Sequence, residues 1–301
     1  MQKQIIFSIL MVIAMIFWGS SWPSGKILIQ YTGADIVAFW RFFFAFLASI
    51  PLILFLKISL RIDTKALKIL AIAAVLNGVY SILFFIGLNY GSAGKGGVLV
   101  TVLIPIFTYL IAYRIYKKDS QRKMKGNEIL GLALGICSGI CLLNLGSVAE
   151  LFGKFNTLFL LCALDWAILT LVCQRLRIHP LAINFYITLF TIILYLPLFL
   201  FHSNMLEVFS YDGRFWSMLF VAAVLSTAIG TSIYYVGISK LGATKASSFQ
   251  LLVPATALGS SFVILGEIPS VLTIFGGILA IIATYLINLY KPKIKTSHSS
   301  D

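Results

Sequence analysis

One carboxylate stands in the middle of a long apolar run: LLCALDWAILTLV, residues 160–172, with Asp165 at its centre. Placing a charged side chain mid-helix in a membrane costs about 2.5–3.5 kcal/mol on insertion scales, so the position calls for an account. Three are open: an ion pair with a basic residue, a carboxyl kept in its neutral form, or a working group that binds substrate or a proton. The ion pair needs a cation at the same depth, whereas Lys26, Arg41 and Lys95 all fall nearer one end of their apolar segments. Adjacent Trp166 offers an aromatic face to an amine while the carboxylate offers it a charge. Recognition of an amino group and proton coupling therefore stand side by side at Asp165.

Other polar residues recur at helical spacing. Asn77, Tyr80, Ser81 and Phe84 fall at i, i+3, i+4 and i+7, and so do Thr227, Gly230, Thr231 and Tyr234. That spacing puts each group on one helix face. Hydroxyls on membrane helices can simply bond backbone carbonyls or glue neighbours, but two such stripes facing each other would line a cavity. Trp166 is too central in its segment for an interfacial anchor, and Trp18 has a similar depth, so both are expected in the cavity wall. Gln250 precedes Pro254 by four residues; the proline ring removes a backbone bond and clashes with the carbonyl at 250. A broken ladder is tolerable in a membrane only against protein or a wet cavity, and Pro105 supplies a second break. The expected substrate-binding set is thus Trp18, Asn77, Tyr80, Ser81, Asp165, Trp166, Thr227, Thr231, Tyr234 and Gln250. Asp165, Arg41, Pro105 and Pro254 are the expected gating or coupling residues, although snorkelling to headgroups is an equal account of Arg41. No catalytic site, metal or cofactor is expected: His179, His202 and His298 lie in loops, span ends or the tail, and no metal motif or phosphate-cradling loop occurs.

These residues must be positioned by membrane helices. Of 301 residues, 60% are hydrophobic and 11% charged, with mean hydropathy +0.99, far from the composition of a soluble domain. Ten continuous apolar segments are predicted as spans: 4–22, 35–56, 66–88, 94–113, 127–146, 155–173, 180–201, 214–237, 243–264 and 271–290. They lack the alternation of barrel strands. The net charge of +13 does not point to nucleic acid, because the basic residues track loop position: alternating loops from a cytoplasmic N-terminus place 18 of the 23 Lys and Arg inside. Both termini are therefore expected in the cytoplasm, with the chain multi-pass in a cell inner membrane and lipid as its surroundings. Cys137, Cys141, Cys162 and Cys173 all lie within predicted spans, where they act as small apolar side chains.

An internal repeat organises the segments. FFIGLNYGSAGK at 84–95 aligns without a gap on YYVGISKLGATK at 234–245, and each copy runs on to a mid-helix proline, Pro105 or Pro254. The period of about 150 residues holds five helices, an odd number, so the second copy is upside down relative to the first. The expected architecture is an all-α integral membrane protein with ten transmembrane helices in two inverted-topology five-helix repeats. Its parts would be 1–149 and 150–290, followed by a basic cytoplasmic tail, 291–301. Inverted repeats hold substrate near the midplane between the halves in many secondary transporters.

The chain resembles the drug/metabolite transporter superfamily, in its ten-helix group of two tandem EamA domains. The resemblance rests on FWGSSWPSGK at 17–26, AFWRFFFA at 38–45, SAGKGGVLVTVLIP at 92–105, SSFQLLVPATALGSSFVILGE at 247–267 and the following GGILAIIATYLI. It implies a secondary transporter exporting small metabolites such as amino acids by alternating access, with a membrane scaffold or an integral membrane enzyme without transport as the alternative reading of the chain. The sequence departs from the pattern at Pro23, where an aliphatic residue is usual, and at Lys118, where a glutamate matching Glu267 would stand. Small residues spaced by four, Gly131, Gly135 and Gly139 with Gly276, Ala280 and Thr284, predict close helix packing within or between protomers. With the resemblance, they also imply a homodimer through the fifth and tenth helices.

Overall fold

The computed structural model describes residues 2–116, 126–143, 153–266, 268 and 271–288. Lys118, Glu267 and the 291–301 tail lie outside the described residues, as do most of the 114–125 loop and residues 144–149. The chain forms α1 (Gln2–Leu28), α2 (Ala34–Phe55), α3 (Thr64–Leu88), α4 (Ala93–Tyr116), α5 (Gly126–Leu143), α6 (Lys154–Cys173), α7 (Pro180–Phe201), α8 (Gly213–Leu241), α9 (Ala243–Leu265) and α10 (Val271–Asn288). No strand occurs among the described residues. In hydrocarbon every backbone polar group must be satisfied within its own segment, and these apolar sequences do so as helices. Eight of them are long and apolar enough to cross a membrane; α5 and α10 carry shorter apolar stretches, Gly126–Cys141 and Ile274–Ile287. The protein is an all-α membrane protein.

Local chemistry sets the ends. Asp63 caps α3 by accepting the Ala66 N–H (2.7 Å), and Asp212 caps α8 by accepting that of Phe215 (3.0 Å). Pro180 occupies the first turn of α7, where its missing N–H costs nothing. Gly266 closes α9 at φ 71°, a left-handed position that suits glycine. Lys26 on α1 donates to the Leu88 and Gly91 carbonyls at the end of α3, supplying a cation where the helix leaves its last acceptors unpaired.

The packing pairs helices across the chain. α1 lies against α8 and α9, while α6 lies against α3 and α4; α2 packs on α8 and α7 packs on α3. α5 and α10 cover each other. The small residues of that last pair are used inside the protomer: a Cβ on Gly131 would come within 2.5 Å of Ile287 and 3.0 Å of the Ala283 carbonyl, and Ser138 donates to the Gly276 carbonyl (2.7 Å). A large core runs through the middle, with Phe84, Phe85, Phe159, Tyr234 and Tyr235 fully enclosed.

Candidate functional site

At the centre of the bundle α1, α2, α3, α4, α6, α8 and α9 enclose a cavity of about 40 Å³. Its wall is aromatic and polar: Trp18, Ser21 and Trp22 from α1, Arg41 from α2, Tyr80 and Phe84 from α3, Thr101 and Ile104 from α4, Trp166 from α6, Ser226 and Thr231 from α8, and Gln250 and Val253 from α9. Ligand pockets usually hold about 300–1,000 Å³, so this one is closed down around space for a few waters. A larger groove of about 1,090 Å³ lies at the ends of α3 and α6, but its cations Arg61, Lys65, Lys68, Arg175 and Arg177 are all exposed. The central cavity, lined by the buried polar side chains of Ser21, Arg41, Thr101, Ser226, Thr231 and Gln250, is the better candidate site.

The aromatic wall is one connected set. Trp18 meets Trp166 edge-on with ring centres 5.3 Å apart, Trp166 meets Tyr80 at 4.7 Å, and Trp18 rests on Tyr234 at 4.7 Å. Such pairs fix ring orientation as well as burying area. Tyr234 is fully buried behind the wall; its hydroxyl accepts from Gln250 Nε2 (2.8 Å) and pairs with Thr170 (3.1 Å). Gln250 Oε1 and Ser226 Oγ, both from lining residues, are buried and have no hydrogen-bond partner in the protein.

One helix break shapes this set, in α9; the second, expected at Pro105, is absent, because α4 runs as unbroken α-helix from Ala93 to Tyr116 and absorbs the single bond that the proline removes. In α9 the α-helical Ala243–Ser248 gives way to a 3₁₀ turn, Phe249–Leu252, before α-helix resumes at Val253 with Pro254 in its first turn. Proline removes the bond to the carbonyl four residues back, and the 3₁₀ turn answers it: the Val253 N–H turns to the Gln250 carbonyl. The lining residues Gln250 and Val253 stand four and one residues before Pro254; Thr101 and Ile104 stand at the same distances before Pro105 in α4.

α8 carries a different irregularity, a π-helical stretch over Val221–Gly230 between two α-helical parts. Thr227 Oγ1 donates to the Ala222 carbonyl (2.8 Å) and Thr231 Oγ1 to that of Ser226 (3.3 Å), both reaching back five residues. Thr231 also accepts from Trp18 Nε1 (3.3 Å). π turns are uncommon and gather at functional sites.

Arg41 is 9% exposed and lines the cavity. Its Nε donates to Thr227 Oγ1 (2.8 Å), and its guanidinium carbon lies 5.9, 5.7 and 5.8 Å from the ring centres of Phe42, Phe84 and Phe85. No carboxylate among the described residues pairs with it.

Comparison with known families finds the model of the EamA-like transporter family matched twice, over residues 5–145 and 154–289. The chain belongs to the EamA-like transporter family. This transporter is 25% identical over 303 residues to uncharacterized transporter YetK of Bacillus subtilis (strain 168), covering 97% of this chain and 89% of that one. Uncharacterized transporter YyaM of the same organism is 24% identical over 297 residues, covering 95% of each. An uncharacterized transporter of Archaeoglobus fulgidus is 23% identical over 282 residues, covering 93% of this chain and 97% of its own. A solved crystal structure superposes with TM-score 0.70 at 17% identity, over 93% of this chain and 95% of that one, a likeness of fold.

Of the residues expected at the transporter's site, Trp18, Arg41, Tyr80, Trp166, Thr231 and Gln250 meet at the cavity. The other seven stand off its lining, Pro105 and Pro254 among them. Asn77 is turned to α7, donating to Thr191 (3.2 Å), because a stripe at i, i+3, i+4, i+7 is broad enough to serve two neighbours at once. Ser81 is fully buried outside the lining, with its Oγ unpartnered. Thr227 stands behind Arg41 and Tyr234 behind Gln250. Asp165 is 8% exposed, with Oδ2 unpartnered, one position away from the lining residue Trp166 and so about 100° around the helix. Arg41 does not snorkel; it turns inward. Ser21, Trp22, Thr101, Ile104, Ser226 and Val253 complete the wall unforeseen. The proline spacing that singled out Gln250 would have found Thr101, and Ser21 and Trp22 follow Trp18 at i+3 and i+4. Ser226 had no signal under an α-helical period.

Proposed function

We propose that the protein is a secondary transporter that exports small metabolites such as amino acids across the cytoplasmic membrane by alternating access. The observation that carries this reading is the small aromatic and polar cavity where helices from both ends of the sequence meet, lined by residues that precede Pro105 in α4 and Pro254 in the broken helix α9. Residues 1–149 and 150–290 are taken as inverted five-helix halves, with both termini cytoplasmic and residues 291–301 as a basic tail. The packing supports that division, since α1 on α8 and α9 has its counterpart in α6 on α3 and α4. Substrate would be held between the halves, and rocking one against the other would expose the cavity to each side in turn. Membrane-buried Asp165, with one oxygen unpartnered, is the proposed coupling group; Pro105 and Pro254 provide bending points. The site needs no cofactor or metal and performs no chemistry on its substrate, so the protein is read as a carrier and not an enzyme. A homodimer through α5 and α10 would use their outward faces, around Ile140, Ile278 and Ile281, which are exposed in the protomer.

Purified protein in liposomes, loaded with labelled amino acids and tested with and without an imposed proton gradient, checks the reading. Saturable flux above protein-free liposomes is expected. Flux that does not saturate, or that Thr231→Val leaves intact, would overturn it.

A further inference from the structure

We infer that the cavity is built to receive one carboxylate group, held by Arg41, so that the transported molecule is a small monocarboxylate. The inference rests on the transport reading for the movement of that molecule, but not for its binding.

Arginine stays protonated in any protein environment and presents five N–H donors in a planar fork. Here the group is buried, and a single donor, Nε, is engaged by the protein, on Thr227. The rings of Phe42, Phe84 and Phe85 approach its carbon, which softens the cost of burial but leaves the terminal donors without acceptors. A buried cation with no anion is among the costliest arrangements a folded chain can keep. Asp165 does not relieve it: no carboxylate among the described residues pairs with Arg41, and Asp165 is off the lining. The counter-ion comes, on this reading, from outside the protein, and the cavity of about 40 Å³ beside Arg41 has room for its carboxylate group.

The chemistry of the lining narrows its identity. The free edge of a guanidinium matches the two oxygens of a carboxylate, and also those of a phosphate. Arg41 is the one charged residue in the lining, so one carboxylate group balances its charge, whereas a dianionic phosphate would bring a second negative charge with no cation to meet it. Ser226 Oγ adds a free hydroxyl, able to donate to a carboxylate. Gln250 asks for the opposite: its Nε2 is committed to Tyr234, so its unpartnered Oε1 accepts from an N–H or O–H. The ligand thus carries a carboxylate for Arg41 and a donor for Gln250, a description that amino acids and hydroxy acids satisfy and simple amines do not.

Two measurements on the full-length protein test this. In thermal melts of detergent-purified protein at constant ionic strength, formate and acetate should raise the melting temperature above its value in chloride, and inorganic phosphate should not. Arg41→Gln should abolish the shift and, in chloride, melt no lower than wild type, because it deletes an unpaired buried charge. In proteoliposomes, phenylalanine and leucine should compete for flux about a hundredfold better than phenylalaninamide and leucinamide, the scale of losing one partner of a buried charged pair. Amides that compete as well as acids would overturn the carboxylate inference and leave the transport reading standing. A carboxylate shift that depends on Arg41 without flux of any probe would do the reverse. An Arg41→Gln protein that melts below wild type, restored by Arg41→Lys and indifferent to formate, would make Arg41 a structural residue and end the proposal. A phosphate shift larger than that of formate would replace carboxylate by phosphate as the ligand group.

Discussion

Gly19 sits between the cavity residues Trp18 and Trp22, where α1 presses on α9, and its replacement by alanine is the sharpest test of that contact. A Cβ at this position would lie 2.2 Å from Thr256 Oγ1 and 2.7 Å from the backbone nitrogen of Ala257. The hydroxyl could rotate away only by giving up its bonds to the Met15 (2.9 Å) and Val253 (3.1 Å) carbonyls, at a cost of about 1 kcal/mol. The backbone atom cannot rotate, so α1 and α9 must separate by about 0.7 Å to restore ordinary carbon contact. Overpacking of this kind costs about 1–3 kcal/mol, while alanine regains about 1 kcal/mol of helix propensity over glycine. The net expectation is a loss of about 1–3 kcal/mol, together with reduced flux because both tryptophans move with the helix. Gly259 on the same α9 has open space where its Cβ would be, so Gly259→Ala should be neutral or slightly stabilising. Melting curves of the three proteins in detergent decide the matter. If Gly19→Ala melts at or above wild type, with Gly259→Ala no more stable than it, the close approach of α1 and α9 is not as described.

Four further outcomes follow from the structure. Ser226→Val should fill the cavity and lower flux at least about tenfold with normal folding, and wild-type flux in that variant would refute the π register that turns Ser226 to the lining. Asp165→Asn keeps the shape and removes the ionisation; it should abolish gradient-driven uphill transport and spare downhill exchange, and an Asn variant that still concentrates substrate with wild-type pH dependence would exclude proton coupling there. A cysteine at exposed Ser203, in a background without native cysteines, should react with an impermeant thiol reagent added to intact cells; reaction after lysis alone would invert the proposed topology. Asp212, outside the spans, accepts the Phe215 N–H and the Tyr31 hydroxyl, which hold its carboxyl below the ordinary 3.8. Its cap therefore stabilises the fold above pH 3.8 and loses that contribution as pH falls through the lower folded value; Asp212→Ala should flatten the acid limb of a stability profile, and an unchanged limb would refute this.

Much of the fold was legible because the membrane leaves few choices: continuous apolar runs become helices, and Pro254 announced where α9 changes its winding, although Pro105 leaves α4 unbroken. Gln250 could be read from Pro254 because proline acts at a fixed distance along the chain. Trp18 and Trp166 were legible because a bulky amphipathic ring far from an interface has little else to do. What failed was angular detail. Thr227 and Ser226 exchanged places because one wider turn shifts every later side chain around the axis, and no composition signal marks such a turn. Arg41 was ambiguous because depth along a helix does not say which way a long side chain points; that is set by Thr227, Phe84 and Phe85, which belong to other elements. Asp165 drew attention by cost, yet its neighbour faces the cavity.

The wider turn in α8 also fixes how its two α-helical parts are phased. Inserting or removing one residue's worth of helical winding turns everything beyond it by about 100°. If the stretch between Val221 and Gly230 rewound into an α-helix, the lower part of α8 would swivel about its own axis like a key. Thr231 would leave Trp18, Tyr234 would leave Gln250 and Thr170, and the floor of the enclosure would come apart without any helix tilting or any loop opening. Such a screw motion exchanges five-residue for four-residue hydrogen bonds nearly one for one, a rotary degree of freedom that the uninterrupted helices α1 and α2 beside α8 lack.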